Sequence, residues 1–236
     1  DPASMEELAA EVCDAYGAAH VICLNAGVSA AGTMADLKLI DWEWVLGVNL
    51  WGVIHGIDTF LNKLITQDEG HFVITASICG HTCYPTSGPY AATKHAAIAI
   101  AETLYNELSA ASSQVGVTAL CPGFVNTQIT SSERNRPEPL VDYAAPVPSD
   151  EDQKVREALL EAFAAAAHEP SSVAALVHDA ILDDTFWVFT DHEHDESISR
   201  RHAEILERRN PSQTVSLLEE AFGVAGAHTN TAPETQ

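Results

Sequence analysis

Residues 20–27 read HVICLNAG, a short apolar run from His20 to Leu24 followed by the turn Asn25-Ala26-Gly27. An apolar run of this length favours a buried parallel strand, because such strands are covered on both faces. The glycine at the end of the turn lets the backbone come close to a ligand. The stretch therefore predicts a strand whose carboxyl end faces a ligand.

Similar apolar runs alternate with helical periods along the rest of the chain. The runs at 71–75, 115–121 and 186–190 predict strands. The predicted helices are 2–16, 41–67 with Asp41 as its cap, 90–111, 151–167, 171–182 and 195–208. This alternation predicts an α/β fold, a doubly wound parallel sheet with helices on both faces, in a single domain.

In such sheets, ligands bind beyond the carboxyl ends of the strands. We therefore expect the chemistry at Asn25, Ser77, Pro122 and their neighbours. Residues 124–150 contain several prolines and show no period, which predicts a mobile loop over the strand ends. We expect residues 128–150 to cover the substrate, with residues 81–89 completing the pocket.

Composition narrows the class of protein. The chain has 11 Lys and Arg against 34 Asp and Glu, a formal net charge of −23, which disfavours binding to nucleic acid or to an anionic membrane. Asn49, His55 and Asp58 interrupt the longest apolar stretch, residues 44–61, so we expect no membrane span. The 5 cysteines, scattered among apolar runs, favour reduced thiols and a cytoplasmic protein.

Tyr90 and Lys94 open a predicted helix and stand four residues apart, so both side chains face the same side. A nearby ammonium favours the phenolate and is expected to lower the pKa of Tyr90 from about 10. A tyrosine tuned in this way can donate and accept a proton near neutral pH.

Other residues accompany this pair in a fixed order. They are Asn25-Ala26-Gly27, Asn49, Ser77 placed 13 residues before Tyr90, and Pro122-Gly123 with Val125 and Thr127. Together they resemble the NAG, Ser, YxxxK and PGxVxT motifs of the short-chain dehydrogenase/reductase family. The resemblance covers the chain to about residue 127 and implies a Rossmann-like fold.

The resemblance also implies an activity, the interconversion of an alcohol and a ketone or aldehyde by hydride transfer to or from NAD or NADP. Tyr90 would be the general acid and base, and Ser77 would hold the substrate oxygen. Lys94 would bind the nicotinamide ribose and tune Tyr90, while Asn49 would hold a water in the proton relay. The implied cofactor contacts are Asn25, Ala26, Gly27, Tyr90, Lys94, Pro122, Gly123, Val125 and Thr127.

The chain departs from the family pattern in one major respect, since no glycine-rich TGxxxGxG turn precedes Asn25. We therefore expect the first strands to be missing, with about 60 further residues before Asp1. Those residues would receive the pyrophosphate, and without them the chain is expected to bind NAD(P) weakly. We also expect residues 1–210 to form the domain and residues 211–236 to be a partly disordered tail.

Two other functions stay open at this point. One is a non-catalytic nucleotide-binding protein that keeps the fold, and the other is an NAD-dependent epimerase or dehydratase. The helix with Gly52 and Gly56 and the helix with Tyr90 resemble the pair that forms homodimers and homotetramers in the family. Neither the group Cys79, His81 and Cys83 nor the polar turn 191–195 predicts a metal site.

Overall fold

A computed structural model describes residues 1–143 and 150–215. Its strands are β1 (Val21–Leu24), β2 (Gly70–Thr75), β3 (Val115–Cys121) and β4 (Trp187–Phe189). Its helices are α1 (Pro2–Tyr16), α2 (Leu39–Asn49), α3 (Trp51–Gln67), α4 (Gly88–Ala110), α5 (Asp150–Ala166), α6 (Pro170–Leu182) and α7 (Asp195–Glu207). Neighbouring strands pair in parallel in the order β1-β2-β3-β4. The predicted α/β fold with a parallel, Rossmann-like sheet is confirmed.

Alternate side chains of each strand face opposite layers of helices. Phe72 and Ile74 of β2 point into the larger core, which α3 and α4 cover, and α1 adds Ala9 to it. Val73 points to the other face, where α6 packs on β3 and β4. On β1, Val21 is 47% exposed, so the second face of this strand is not covered by the part of the chain that the structure describes.

The predicted helix 41–67 is a pair of helices, α2 and α3, that meet at Leu50. Backbone hydrogen bonds continue across the junction, from the Leu50 amide to Leu46 and from the Ile54 amide to Leu50. The prediction that Asp41 caps this helix was wrong. Lys38 is the capping residue, and its amide donates to the Asp41 carboxylate at 2.7 Å. This contact is half of a capping box, in which the side chain of the third helical residue accepts from the amide of the capping residue.

By length and composition alone, α2 and α3 together (Leu39–Gln67) could cross a membrane, with a mean hydropathy of 1.2. The side chain of Asn49 at its centre is 2% exposed and hydrogen-bonded within the protein. Both helices also pack on α4, on β1 or on each other. These contacts are typical of core helices.

The segment expected to be an irregular, mobile loop is partly helical. Residues Ile129–Asn135 and Glu138–Leu140 form short 3-10 helices, which local side-chain hydrogen bonds close despite the lack of a hydrophobic period. Residues 144–149 of the predicted substrate loop lie outside the described residues. The predicted tail also lies outside them from residue 216 onward.

Candidate active site

The turns that follow β1, β2 and β3 lie side by side and are hydrogen-bonded to one another. The Thr75 hydroxyl at the end of β2 donates to Asn25 Oδ1 at 2.9 Å. The amide of Ile78 donates to the carbonyl oxygen of Pro122 at 3.0 Å. The parallel register makes these carboxyl ends adjacent, so Asn25, Ser77 and Pro122 share one edge of the sheet, as the sequence predicts.

Ser77 and Tyr90 come from the loop after β2 and from the first turn of α4. Ser77 is buried, and its Oγ accepts a hydrogen bond from the Cys79 amide at 3.1 Å. A hydroxyl also has one proton to donate, so this contact leaves the donor of Ser77 for another partner. The Ser77 side chain hydrogen-bonds to the Tyr90 phenol, and this bond acts to lower the pKa of Tyr90.

Lys94 lies one turn after Tyr90 and reaches back across the end of β2. Its Nζ donates to the carbonyl oxygen of Thr75 at 2.7 Å and lies 5.5 Å from the centroid of the Tyr90 ring. The side chain is 4% exposed. The predicted pairing of the phenol and the ammonium on one side of α4 is therefore present.

The expected lowering of the Tyr90 pKa was wrong for this state of the protein. Burial raises the pKa of Tyr90 well above its usual value, the neighbouring Cys79 adds to the rise, and Ser77 only partly opposes it. Burial also lowers the pKa of Lys94 to about 8, although Cys79 and Cys121 oppose this. Both shifts follow from one cause, because a poorly solvated group favours its neutral form.

Asn49 joins three parts of the site through its side chain. Its Oδ1 accepts from the Val28 amide at 2.8 Å, and its Nδ2 donates to Val28 O at 2.9 Å and to Thr93 Oγ1 at 3.1 Å. These contacts fix the segment after Gly27 against α4. The predicted water-holding role of Asn49 stays a prediction.

Gly27 leaves a space between Asn49 and Lys94. A Cβ at this position would lie 3.7 Å from both Asn49 Oδ1 and Lys94 Nζ. Ala26 and Asn25 beside it are exposed. A methyl group at Gly27 would therefore lie in contact with both side chains.

Residues 122–127 run from the end of β3 along the same edge. Phe124 is buried, Val125 packs against the apolar cluster around Val73 under α6, and Thr127 is exposed. The Thr127 amide donates to Val125 O at 2.7 Å, and the Gly123 amide donates to Thr190 Oγ1 at 2.9 Å. The structure thus brings all the predicted site residues to one end of the sheet.

Sequence patterns missed several supporting residues. Thr75 and Thr93 hold Asn25, Lys94 and Asn49 through single hydrogen bonds. Thr190 and Asp191 follow β4 and contact the segment after β3. The position of Thr75 and Thr190 at strand ends is the one signal in the sequence that could have identified them.

The possible metal ligands do not form one site around Cys79. His81 Nε2 lies 3.5 Å from Cys121 Sγ, while Cys83 Sγ lies 4.0 Å from His95 Nε2. In residues 1–143 and 150–215, the group with suitable spacing is Asp191, Glu193 and His194, whose ligand atoms lie within 4.8 Å of one another. This group precedes α7, where the positive end of the helix dipole disfavours a cation.

Comparison with known proteins identifies a matching family and a similar solved structure. Residues 1–138 match the family described as short chain dehydrogenase. A short-chain dehydrogenase/reductase from Burkholderia phymatum, crystallised in complex with NAD, is 37% identical. Its TM-score is 0.85, and the match covers 92% of this chain and 77% of that one.

Two curated relatives match different lengths of this chain. An uncharacterised oxidoreductase of Staphylococcus saprophyticus is 35% identical over 115 residues, which are 49% of this chain and 47% of that protein. A CLA biosynthesis dehydrogenase/reductase of Lactiplantibacillus plantarum is 24% identical over 205 residues, 86% and 72% of the two chains. The chain therefore matches less than half of the length of the staphylococcal protein. Since the family match spans more than half of this chain, the chain belongs to the short-chain dehydrogenase family.

Proposed function

We propose that the protein is an NAD(P)-dependent oxidoreductase that interconverts an alcohol and a ketone or aldehyde, with Tyr90 as general acid and base. The observation that carries this proposal is the convergence of Tyr90, Ser77 and Lys94 at the carboxyl end of the sheet. The NAD complex of the Burkholderia relative supports the choice of cofactor. Three groups of different chemistry, a hydroxyl, a phenol and an ammonium, thereby lie close together.

The residues around Gly27 fit a nicotinamide riboside. A bound group can approach the backbone at Gly27 closely, because glycine places no side chain beside Asn49 and Lys94. The Lys94 ammonium has three N–H donors, of which Thr75 O takes one within the described part of the chain. The remaining donors suit ribose hydroxyl groups, and the exposed side chain of Thr127 offers a hydroxyl for the carboxamide.

When bound, the nicotinamide supplies a hydride to the carbonyl carbon, or accepts one from the alcohol carbon. The raised pKa keeps Tyr90 protonated at neutral pH, so the phenol can donate its proton to the carbonyl oxygen during reduction. The Ser77 hydroxyl, which hydrogen-bonds to the Tyr90 phenol, would then turn to hold the same oxygen in place. In the oxidative direction, Tyr90 must first release its proton to water, and the phenolate then accepts the proton of the alcohol.

Replacing Tyr90 by phenylalanine tests this assignment. Tyr90→Phe removes the transferable proton and keeps the ring, so we expect turnover to fall at least about 100-fold while the melting temperature changes little. Tyr105→Phe is the matched control, because Tyr105 lies on the same helix about 22 Å farther along its axis. The measurement is the absorbance of reduced nicotinamide with a panel of alcohols and ketones, using both NAD and NADP.

Each result of this comparison decides the proposal. Loss of turnover in Tyr90→Phe alone supports it. Turnover of Tyr90→Phe within about tenfold of the parent would remove Tyr90 from the mechanism. A parent protein that binds either nucleotide but oxidises and reduces nothing in the panel would favour the non-catalytic alternative.

We also propose that a second copy of the chain covers the outer face of α3 and α4, giving a homodimer or homotetramer. A groove of 340 Å³ runs between these helices and is lined mainly by the apolar residues Ile54, Ile57, Leu61 and Ile100. Neither glycine that the sequence places at this interface lines the groove. Gly52 has open space beside it but lies on the other side of α3 from Ile54 and Leu61, and Gly56 packs against Leu24 in the core.

Asn62→Arg tests the interface, because the exposed Asn62 side chain lines the groove and an arginine there fits in one protomer but not beneath a second copy. We expect the mass in sedimentation equilibrium to shift toward the monomer, with the circular dichroism spectrum unchanged. Gly47→Arg is the control, because Gly47 on α2 is exposed and has open space beside it. Equal association of Asn62→Arg and the parent would contradict this interface.

A further inference from the structure

A side-chain network after β4 holds the backbone of residues 122–127. The Gly123 amide donates to Thr190 Oγ1 at 2.9 Å, and that hydroxyl donates to Asp191 Oδ2 at 2.7 Å. A carboxylate can only accept hydrogen bonds, so the single proton of Thr190 must point to Asp191. The lone pairs of the hydroxyl are thereby turned toward Gly123.

Asp191 is fixed at the centre of this network. Its side chain is 14% exposed, and its Oδ1 accepts from the Glu193 amide at 3.1 Å. Burial alone would raise the pKa of Asp191, but hydrogen bonds from Thr190 and Glu193 and the charge of His194 lower it overall. The group therefore stays a carboxylate, the form that orients Thr190.

His168 extends the same network along the segment. Its ring Nε2 lies 3.3 Å from Asp191 Oδ2. Its backbone pairs with the segment on both sides of Val125, accepting from the Asn126 amide at 2.9 Å and donating to Phe124 O at 2.8 Å. Asp191 thus supports Gly123 through Thr190 and residues 124–126 through His168.

Gly123 makes this close packing possible. A Cβ on Gly123 would lie only 2.6 Å from Asp191 Oδ2 and 3.3 Å from His194 Nε2. Any side chain at this position would displace the carboxylate that orients Thr190. The glycine is therefore required for the close approach of this backbone to Asp191.

We propose that Asp191 is a positioning residue, which acts through Thr190 and His168 to hold residues 122–127 in the conformation that receives the nicotinamide carboxamide. The proposal rests on the proposed function, because it assigns this segment to the cofactor. Asp191 and Thr190 need not touch the cofactor themselves. Their effect is to preorganise the backbone, so that less ordering is needed when the nucleotide binds.

Paired variants test the proposal in the whole protein. Thr190→Val removes the hydroxyl at nearly constant shape, and Thr190→Ser restores it. We expect Thr190→Val to speed amide hydrogen exchange at Gly123 and to raise the Kd for the preferred nucleotide, each by about tenfold, with parental values in Thr190→Ser. Thr66→Val is the control, because Thr66 is exposed on α3 and its hydroxyl donates to Asn62 O within the same helix.

Asp191→Ala separates the two arms of the network. We expect it to speed exchange at both Gly123 and Asn126, whereas Thr190→Val affects Gly123 alone, because the His168 arm is intact in the latter. Exchange would be measured by NMR and the Kd by calorimetric titration with NAD and NADP. Equal Gly123 exchange and equal Kd in Thr190→Val and Thr190→Ser would overturn the proposal.

These readouts separate the two proposals. A full-length parent protein that bound neither nucleotide would refute the proposed function, and with it the role of this segment in cofactor binding. The exchange rates would still show whether Thr190 and Asp191 hold Gly123 and Asn126. Faster exchange with an unchanged Kd would refute the positioning role while leaving the proposed function intact.

Discussion

Lys94 shows how burial sets the chemistry of a single residue. Its ammonium is held by Thr75 O in a poorly solvated place, so the charged form is less favourable than in water. The same burial keeps Tyr90 protonated. Tyr90 therefore carries its proton at neutral pH, while Lys94 is close to losing its charge.

The pKa of about 8 for Lys94 leads to a prediction about pH. A base is charged below its pKa and neutral above it, so Lys94 loses its charge as the pH rises through about 8. Tyr90, with its raised pKa, stays protonated over the same range. We expect kcat/KM for ketone reduction to fall above this pH, because a neutral amine binds the ribose less strongly.

Lys94→Arg is the variant that checks this cause. A guanidinium keeps its charge at all these pH values, so the fall near pH 8 should disappear even if the overall rate is lower. The measurement is the pH profile of kcat/KM for parent and variant under identical salt. The same fall in both proteins would show that another group titrates.

At the scale of elements, Arg136 fastens the turns after β3 to α2. Its side chain is 8% exposed, forms an ion pair with Asp41 in the first turn of α2, and donates through Nε to Leu140 O at 2.6 Å. The guanidinium also lies 4.9 Å from the ring of Trp44. Arg136 therefore anchors the described part of residues 128–150, the segment predicted to cover the substrate.

Removing this anchor should affect substrate binding more than cofactor binding. We expect Arg136→Ala to raise the KM for the carbonyl substrate about tenfold, because residues 129–140 lose their link to α2, and to cost about 2 kcal/mol of stability. The KM and the nucleotide Kd would be measured for the parent and the variant.

Arg134→Ala is the control for this prediction. Arg134 is exposed, and within residues 1–143 and 150–215 it bonds to oxygens of Gln128 and Ser131 in its own turn. We expect its KM to stay near that of the parent. An effect of Arg136→Ala on the nucleotide Kd without a change in KM would show that this segment does not contact the substrate.

For the whole molecule, local patterns predicted the order of strands and helices, because each element of this chain carries its own apolar period. They also placed Asn25, Ser77 and Pro122 at one edge, since parallel strands align their carboxyl ends. The pairing of Arg136 with Asp41, 95 residues apart, depends on how turns without a period fold over α2. Local patterns do not contain that information.

The sign of the Tyr90 pKa shift was missed for a related reason. The spacing of Tyr90 and Lys94 describes their mutual charge effect, whereas desolvation depends on every residue that packs around them. Gly56 is a similar case, because its contact with Leu24 comes from the packing of α3 on β1. Burial is a property of the assembled fold.

The net charge of −23 acts on the molecule as a whole. Repulsion among acidic groups destabilises the compact state, and salt screens it, with a Debye length of about 3 Å at 1 M. On α1, the acidic residues Glu6, Glu7, Glu11 and Asp14 are all exposed. They can therefore be neutralised without opening the core.

We expect the melting temperature to rise by roughly 5 °C between about 0.05 M and about 1 M sodium chloride, because each kcal/mol gained shifts it by about 2–4 °C. A variant with Glu6→Gln, Glu7→Gln, Glu11→Gln and Asp14→Asn should melt higher than the parent at low salt and gain less from added salt. Differential scanning calorimetry measures both slopes. Fewer acidic groups repel one another less, so screening should raise the melting temperature of the variant less than that of the parent. Equal slopes of melting temperature against salt would show that the salt effect comes from ion exclusion at the surface rather than from screening.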